Sequence, residues 1–85
     1  MLEELSTNNK VVGLKQSRRA LKDGIAEKVF LAHDANGSIL REIEELCREC
    51  GVVCEFVPTM DELGRGSGIS VGAAVAAVLR QKSDS

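Results

Sequence analysis

The amino-acid sequence predicts an α/β fold: a three-layer α/β/α sandwich on a small sheet of about four strands, forming one domain over 1–85 with its core at about 8–80. Three observations carry this. Short apolar runs at Val11-Val12, Val29–Ala32, Val52–Val57 and Ala73–Leu79 alternate with segments of helical pattern. Glycines and a proline (Gly13, Gly24, Gly51, Pro58) punctuate the boundaries between them. Strands separated by helices require crossover connections, which place helices on both faces of a sheet.

Taken in order, Leu2–Thr7 reads as a short leading helix ended by the turn-prone Asn8 and Asn9. After the brief strand at Val11-Val12, Lys15–Asp23 reads as a helix with Leu14, Ala20 and Leu21 toward the core, and Gly24 just past its end as a C-cap. The cluster His33, Asp34, Asn36, Gly37, Ser38 forms a turn in which Ser38 is expected to cap the next helix. That helix carries Ile39, Ile43, Leu46, Cys47 and Cys50 as one apolar stripe, and Gly51 stops it. Glu42, Glu45 and Glu49 lie on its opposite, solvated face, with Glu44 placed four residues before Arg48. Thr59-Met60-Asp61-Glu62 fits a capping box for a helix expected to be short, because Gly64, Gly66 and Gly68 follow. Ala73–Leu79 has the alanine content of a helix, but a buried strand fits the alternation better.

The net charge of −2 hides a division along the chain. Residues 10–28 hold six cations and two anions, residues 31–63 two cations and eight anions, and residues 64–85 three cations and one anion. A basic face on a net-acidic molecule is the part that steers a partner. No run reaches the roughly 20 apolar residues of a membrane span, and no basic-then-apolar signal region opens the chain, so a cytoplasmic protein is the simplest expectation.

The stretch Val12-Gly13-Leu14-Lys15-Gln16-Ser17-Arg18-Arg19 puts a glycine turn at the mouth of a helix and loads its first turns with cations. Helix-start amides carry partial positive charge, and glycine lets backbone approach a partner closely. Lys15, Arg18, Arg19 and Lys22 follow i, i+3, i+4, i+7 spacing, which predicts a single phosphate-reading face. Arginine forks, a mobile lysine and a glutamine that both donates and accepts suit base edges as well as phosphates.

Other chemistries fit poorly. Trp and Tyr are missing, and Phe30 and Phe56 sit inside strands where core packing is expected, which disfavours readers that stack bases on aromatics. Gly64, Gly66, Gly68 and Gly72 lack the lysine-then-Ser/Thr ending of a P-loop. Cys47, Cys50 and Cys54 belong to an apolar stripe and a strand, so they read as buried small hydrophobes and no metal or other cofactor is expected. His33-Asp34 is an acid–base pair with no nucleophile beside it, so no enzyme is expected. The competing reading is a protein-interaction module that docks partners on the acidic helix face.

At these residues the chain resembles the kink-turn RNA-binding ribosomal proteins of the L7Ae/L30e superfamily, over roughly residues 8–80. Gly13-Leu14-Lys15-Gln16-Ser17-Arg18-Arg19 is similar to that family's glycine-x-(asparagine or lysine)-(glutamate or glutamine)-x-x-(lysine or arginine). Leu63–Ala74 resembles its specificity loop leading into the last strand. The lysine-glutamine pair is closer to the bacterial members than to the archaeal ones, which carry asparagine-glutamate. The resemblance implies a monomeric binder of structured RNA containing a kink-turn, with the ribosome as a candidate destination. It further implies that Gly13, Lys15, Gln16 and Arg19 meet the sheared G·A pairs, with Arg18 and Lys22 adding charge beside them. The loop with Ile69, Ser70 and Val71 would cover an extruded nucleotide, with Ile69 and Val71 as apolar wedges and Arg65 supplying charge.

Overall fold

The computed structural model describes residues 9–69 and 71–80; the expected Leu2–Thr7 helix and Ser70 lie outside the described residues. Among the described residues four strands and three helices alternate: β1 (Lys10–Val12), α1 (Leu14–Lys22), β2 (Ala26–Ala32), α2 (Gly37–Cys50), β3 (Val53–Val57), α3 (Met60–Gly66) and β4 (Val75–Leu79). The strand order is β1-β4-β2-β3. β2 and β3 are parallel, joined over α2, whereas β4 runs antiparallel to both neighbours, β1 and β2.

Period-two alternation divides the apolar side chains between two cores. Val29 and Leu31 of β2 and Val75 and Ala77 of β4 pack with Ala20 and Leu21 of α1 and Ile43 and Cys47 of α2. Phe30, Ala32, Ala76 and Val78 point the other way, to Leu63 of α3. Helices therefore cover both faces and the three layers expected from the sequence are present. Because β4 lies between two strands and is buried on both faces, its sequence is continuously apolar rather than alternating.

Local chemistry sets the ends. Gly24 (φ 73) follows the last turn of α1, and Gly51 (φ 69) ends α2 in the left-handed region that glycine adopts most readily. Three expectations need correction. Asn36, not Ser38, caps α2: its Oδ1 accepts the Ser38 N–H at 2.9 Å, because the helix begins at Gly37, two residues earlier than a Ser38 cap implies. Cys50 is exposed rather than part of the stripe, since it lies at the edge of the buried side of α2; its thiol donates to the Leu21 carbonyl at 3.3 Å. Phe56 is 40% exposed, because β3 is an edge strand, and packs edge-on against His33 with ring centroids 5.7 Å apart.

Candidate nucleic-acid interface

Strand polarity brings the relevant elements to one rim. β1, β2 and β3 run in one direction and end where β4 begins, so the starts of all three helices and the segment leading into β4 share that end of the sheet. Ligand sites of open α/β sheets lie outside the carboxyl ends of the strands.

Gly13 makes the turn from β1 into α1 with φ 110 and ψ 159, a conformation essentially reserved to glycine. Its N–H donates to the Val75 carbonyl at 2.8 Å, which fixes the start of α1 to the start of β4. Gly13 is the N-cap and has no side chain to bond the first amides, so α1 has no side-chain cap among the described residues, and no acidic residue stands in its first turn. The helix is oriented by its buried side, Ser17, Ala20 and Leu21. At about 100° per residue, Lys15, Arg19 and Lys22 then lie opposite that side, and all three are exposed, as is Gln16.

Arg18 departs from the expected single face. It stands about 60° round the helix from Lys15, toward α2, where Nε meets Glu42 Oε2 at 2.5 Å and Nη2 meets Oε1 at 3.2 Å. This two-pronged hydrogen bond holds the Glu42 carboxyl below its ordinary value and raises the Arg18 guanidinium. Arg18 thus joins α1 to α2, and Glu42 is a structural partner rather than a member of a free acidic face. Arg19 remains 82% exposed, with Asp23 at 3.6 Å.

The second region starts later than the glycines suggest. Gly64 and Gly66 lie within α3, and the segment between α3 and β4 is 67–74. Gly64 is needed for close approach rather than for a turn: a Cβ there would stand 2.1 Å from the Val71 carbonyl oxygen. The Ile69 N–H donates to the Gly64 carbonyl at 3.0 Å, and Ser67 is buried with its hydroxyl donating to the Leu63 carbonyl at 2.8 Å. Of the two apolar wedge candidates, Ile69 is half-buried against the α3-side core, whereas Val71 is 68% exposed. Arg65 projects from α3 and pairs with Asp61 at 2.9 Å.

One organising residue escaped the sequence reading. Asp34 Oδ1 accepts the Met60 N–H at 2.8 Å and so ties the turn before α2 to the start of α3. The partners are 26 residues apart, so no local spacing signals the bond. The cysteines form no ligand set: among the described residues, no three His, Cys, Asp or Glu side chains are placed to hold a metal ion. Contact with Cys47 and burial push the Cys54 thiol up.

A model of the ribosomal protein L7Ae/L30e/S12e/Gadd45 family matches residues 2–85. The chain belongs to this family. It is 43% identical over 68 residues to an RNA-binding protein of Caldanaerobacter subterraneus subsp. tengcongensis, covering 80% of this chain and 83% of that protein. With large ribosomal subunit protein eL8 of Haloquadratum walsbyi it shares 37% identity over 68 residues, covering 79% of this chain and 57% of that protein. Among solved structures, the 15.5kD RNA binding protein of Giardia lamblia has the same fold, with a TM-score of 0.84 at 26% identity over 95% of this chain and 68% of that one.

Proposed function

We propose that this protein binds structured RNA at a kink-turn, reading sheared G·A pairs with the start of α1 and covering an unstacked nucleotide with the segment before β4. The observation that carries this reading is the open start of α1. An uncapped helix end, opened by a glycine at φ 110 and flanked by exposed Lys15, Gln16 and Arg19, is bonded through Gly13 to the strand that follows exposed Val71. Helix-start amides favour phosphate, and the adjacent side chains offer donors to guanine and adenine edges. Regular A-form RNA hides its base edges in a deep, narrow groove, whereas a sharply bent element presents them. Lys22 and Arg65 add charge toward the flanking backbone. Ile69 supports the segment from the core side, and Val71 supplies the apolar contact. The names of the relatives support RNA as the ligand, and the eL8 relative makes ribosomal RNA a natural target. In this reading the protein acts as a cytoplasmic monomer, without catalysis.

Gel-shift titration tests the proposal, using a kink-turn duplex and the same duplex with its G·A pairs replaced by Watson–Crick pairs at one fixed salt concentration. Much tighter binding of the kink-turn is expected. Equal affinity would refute recognition of the kinked element and leave only charge attraction.

A further inference from the structure

We propose that Asp34 is a positioning residue for RNA recognition, holding the Val71 side of the interface in place without touching RNA; this rests on the RNA reading above. Three hydrogen bonds and the chain between them form a closed circuit at the rim of the sheet. The Asp34 carboxylate accepts the Met60 N–H at 2.8 Å. The Met60 carbonyl accepts the Ala73 N–H at 3.0 Å. The Ala74 carbonyl accepts the Ala32 N–H at 2.9 Å, and Ala32 leads in two residues back to Asp34. Two of these links are backbone to backbone and survive almost any substitution. The Asp34 link is the circuit's one side-chain member, so it is the link that the choice of residue controls.

The circuit bears directly on Val71. A Cβ on Gly72 would stand 3.3 Å from the Met60 Cβ, so the backbone beyond Val71 packs closely on Met60. On the other side, Gly64 lies against the Val71 carbonyl. Met60 and Gly64 thus form a cradle on α3 for the stretch 71–73, and Asp34 fixes the end of α3 that carries Met60. A carboxylate at a helix start also interacts favourably with the helix dipole. Thr59 caps the same helix through the Glu62 N–H at 3.1 Å but is not a link in the circuit, which makes it the natural control.

The test compares Asp34→Ala, Asp34→Asn and Thr59→Ala in the full chain, by amide hydrogen exchange of the free protein and by affinity for a kink-turn RNA. Asp34→Ala should speed exchange at Met60 and Ala73 and weaken RNA binding by about tenfold, as expected for loss of a cap-strength bond. Asparagine keeps an acceptor oxygen and should restore both readouts. Thr59→Ala should expose the Glu62 amide and lower thermal stability to a similar degree, while RNA affinity stays within about twofold of wild type. Unchanged Ala73 exchange in Asp34→Ala, failure of asparagine to restore, or an equal affinity loss in Thr59→Ala would overturn the proposal. If Asp34→Ala does not fold, Asp34→Ser carries the same test, since its shorter side chain satisfies its own turn without reaching Met60. A wild-type protein that ignores the kink-turn would overturn the RNA reading alone; the exchange comparison, made without RNA, would then support or overturn the brace by itself.

Discussion

α1 and α3 start at the same rim of the sheet but are finished in opposite ways. The α3 start is closed: Asp34 and Thr59 each accept one of its amides, and Asp61 and Glu62 place negative charge in its first turn. The α1 start is open, with no side-chain cap among the described residues, no acid in its first turn, and Lys15 beside it. A good side-chain cap is worth about 0.5–2 kcal/mol over alanine but only a few tenths of a kcal/mol over glycine, so Gly13 leaves the α1 amides open at little cost in stability. The difference teaches which helix end is scaffold and which is available to an anion. Substitutions that displace the scaffold should cost stability, and substitutions on the open end should cost binding alone.

The largest effect is expected at Gly64, on the scaffold side. A Cβ there would meet the Val71 carbonyl at 2.1 Å, and that contact is backbone, so the segment before β4 must move. Gly64→Ala should lower unfolding free energy by about 1–3 kcal/mol, the usual range for overpacking, and weaken RNA binding through displaced Val71. Urea denaturation with the same midpoint as wild type would show that the approach is slack.

On the open side, Lys15→Ala and Arg19→Ala should each weaken kink-turn binding by about 1–3 kcal/mol, the worth of a base-edge contact. Their stability should hardly change, since both side chains are exposed. If melting temperature fell while affinity held, α1 would be scaffold as well and the contrast between the two helix starts would collapse.

The fold was legible because the signals were local. The α2 stripe, Gly51 and the Thr59 cap each act over one element, and the buried strand Val75–Leu79 follows from the alternation of strands with helices along the chain. The geometry of the candidate site is half legible. The glycine turn at Gly13 and the exposure of Lys15, Gln16 and Arg19 follow from helix-start chemistry and helical spacing. The place of Arg18 does not, because helical spacing places it beside Lys15 and only the packing of α2 turns it to Glu42. Gly64 and Gly66 look like loop residues, and only the approach of Val71 shows why the helix needs a glycine at Gly64. Phe56 reads as core until the strand order makes β3 an edge.

A smaller effect sharpens the role of Arg18. Because its hydrogen bonds hold the Glu42 carboxyl below the ordinary value of 4.5, the pair adds stability above that pH and loses it as pH falls through the lowered folded value. The gap in urea midpoint between wild type and Glu42→Gln should therefore be modest at neutral pH and close in acid. Arg18→Gln should disturb RNA binding less than Lys15→Ala does. A gap that is independent of pH, or a larger binding loss at Arg18, would return Arg18 to the RNA-facing side.

Amide chemical-shift mapping during titration with a kink-turn RNA tests the central claim most directly, because it reads both helix starts in one spectrum. The open end predicts that the largest changes fall on the amides of Leu14, Lys15 and Gln16 and on Val71, while Glu62 inside the α3 cap and the outer α2 residues Glu45 and Glu49 barely move. Changes centred on Glu45 and Glu49, or equal at the α1 and α3 starts, would contradict it.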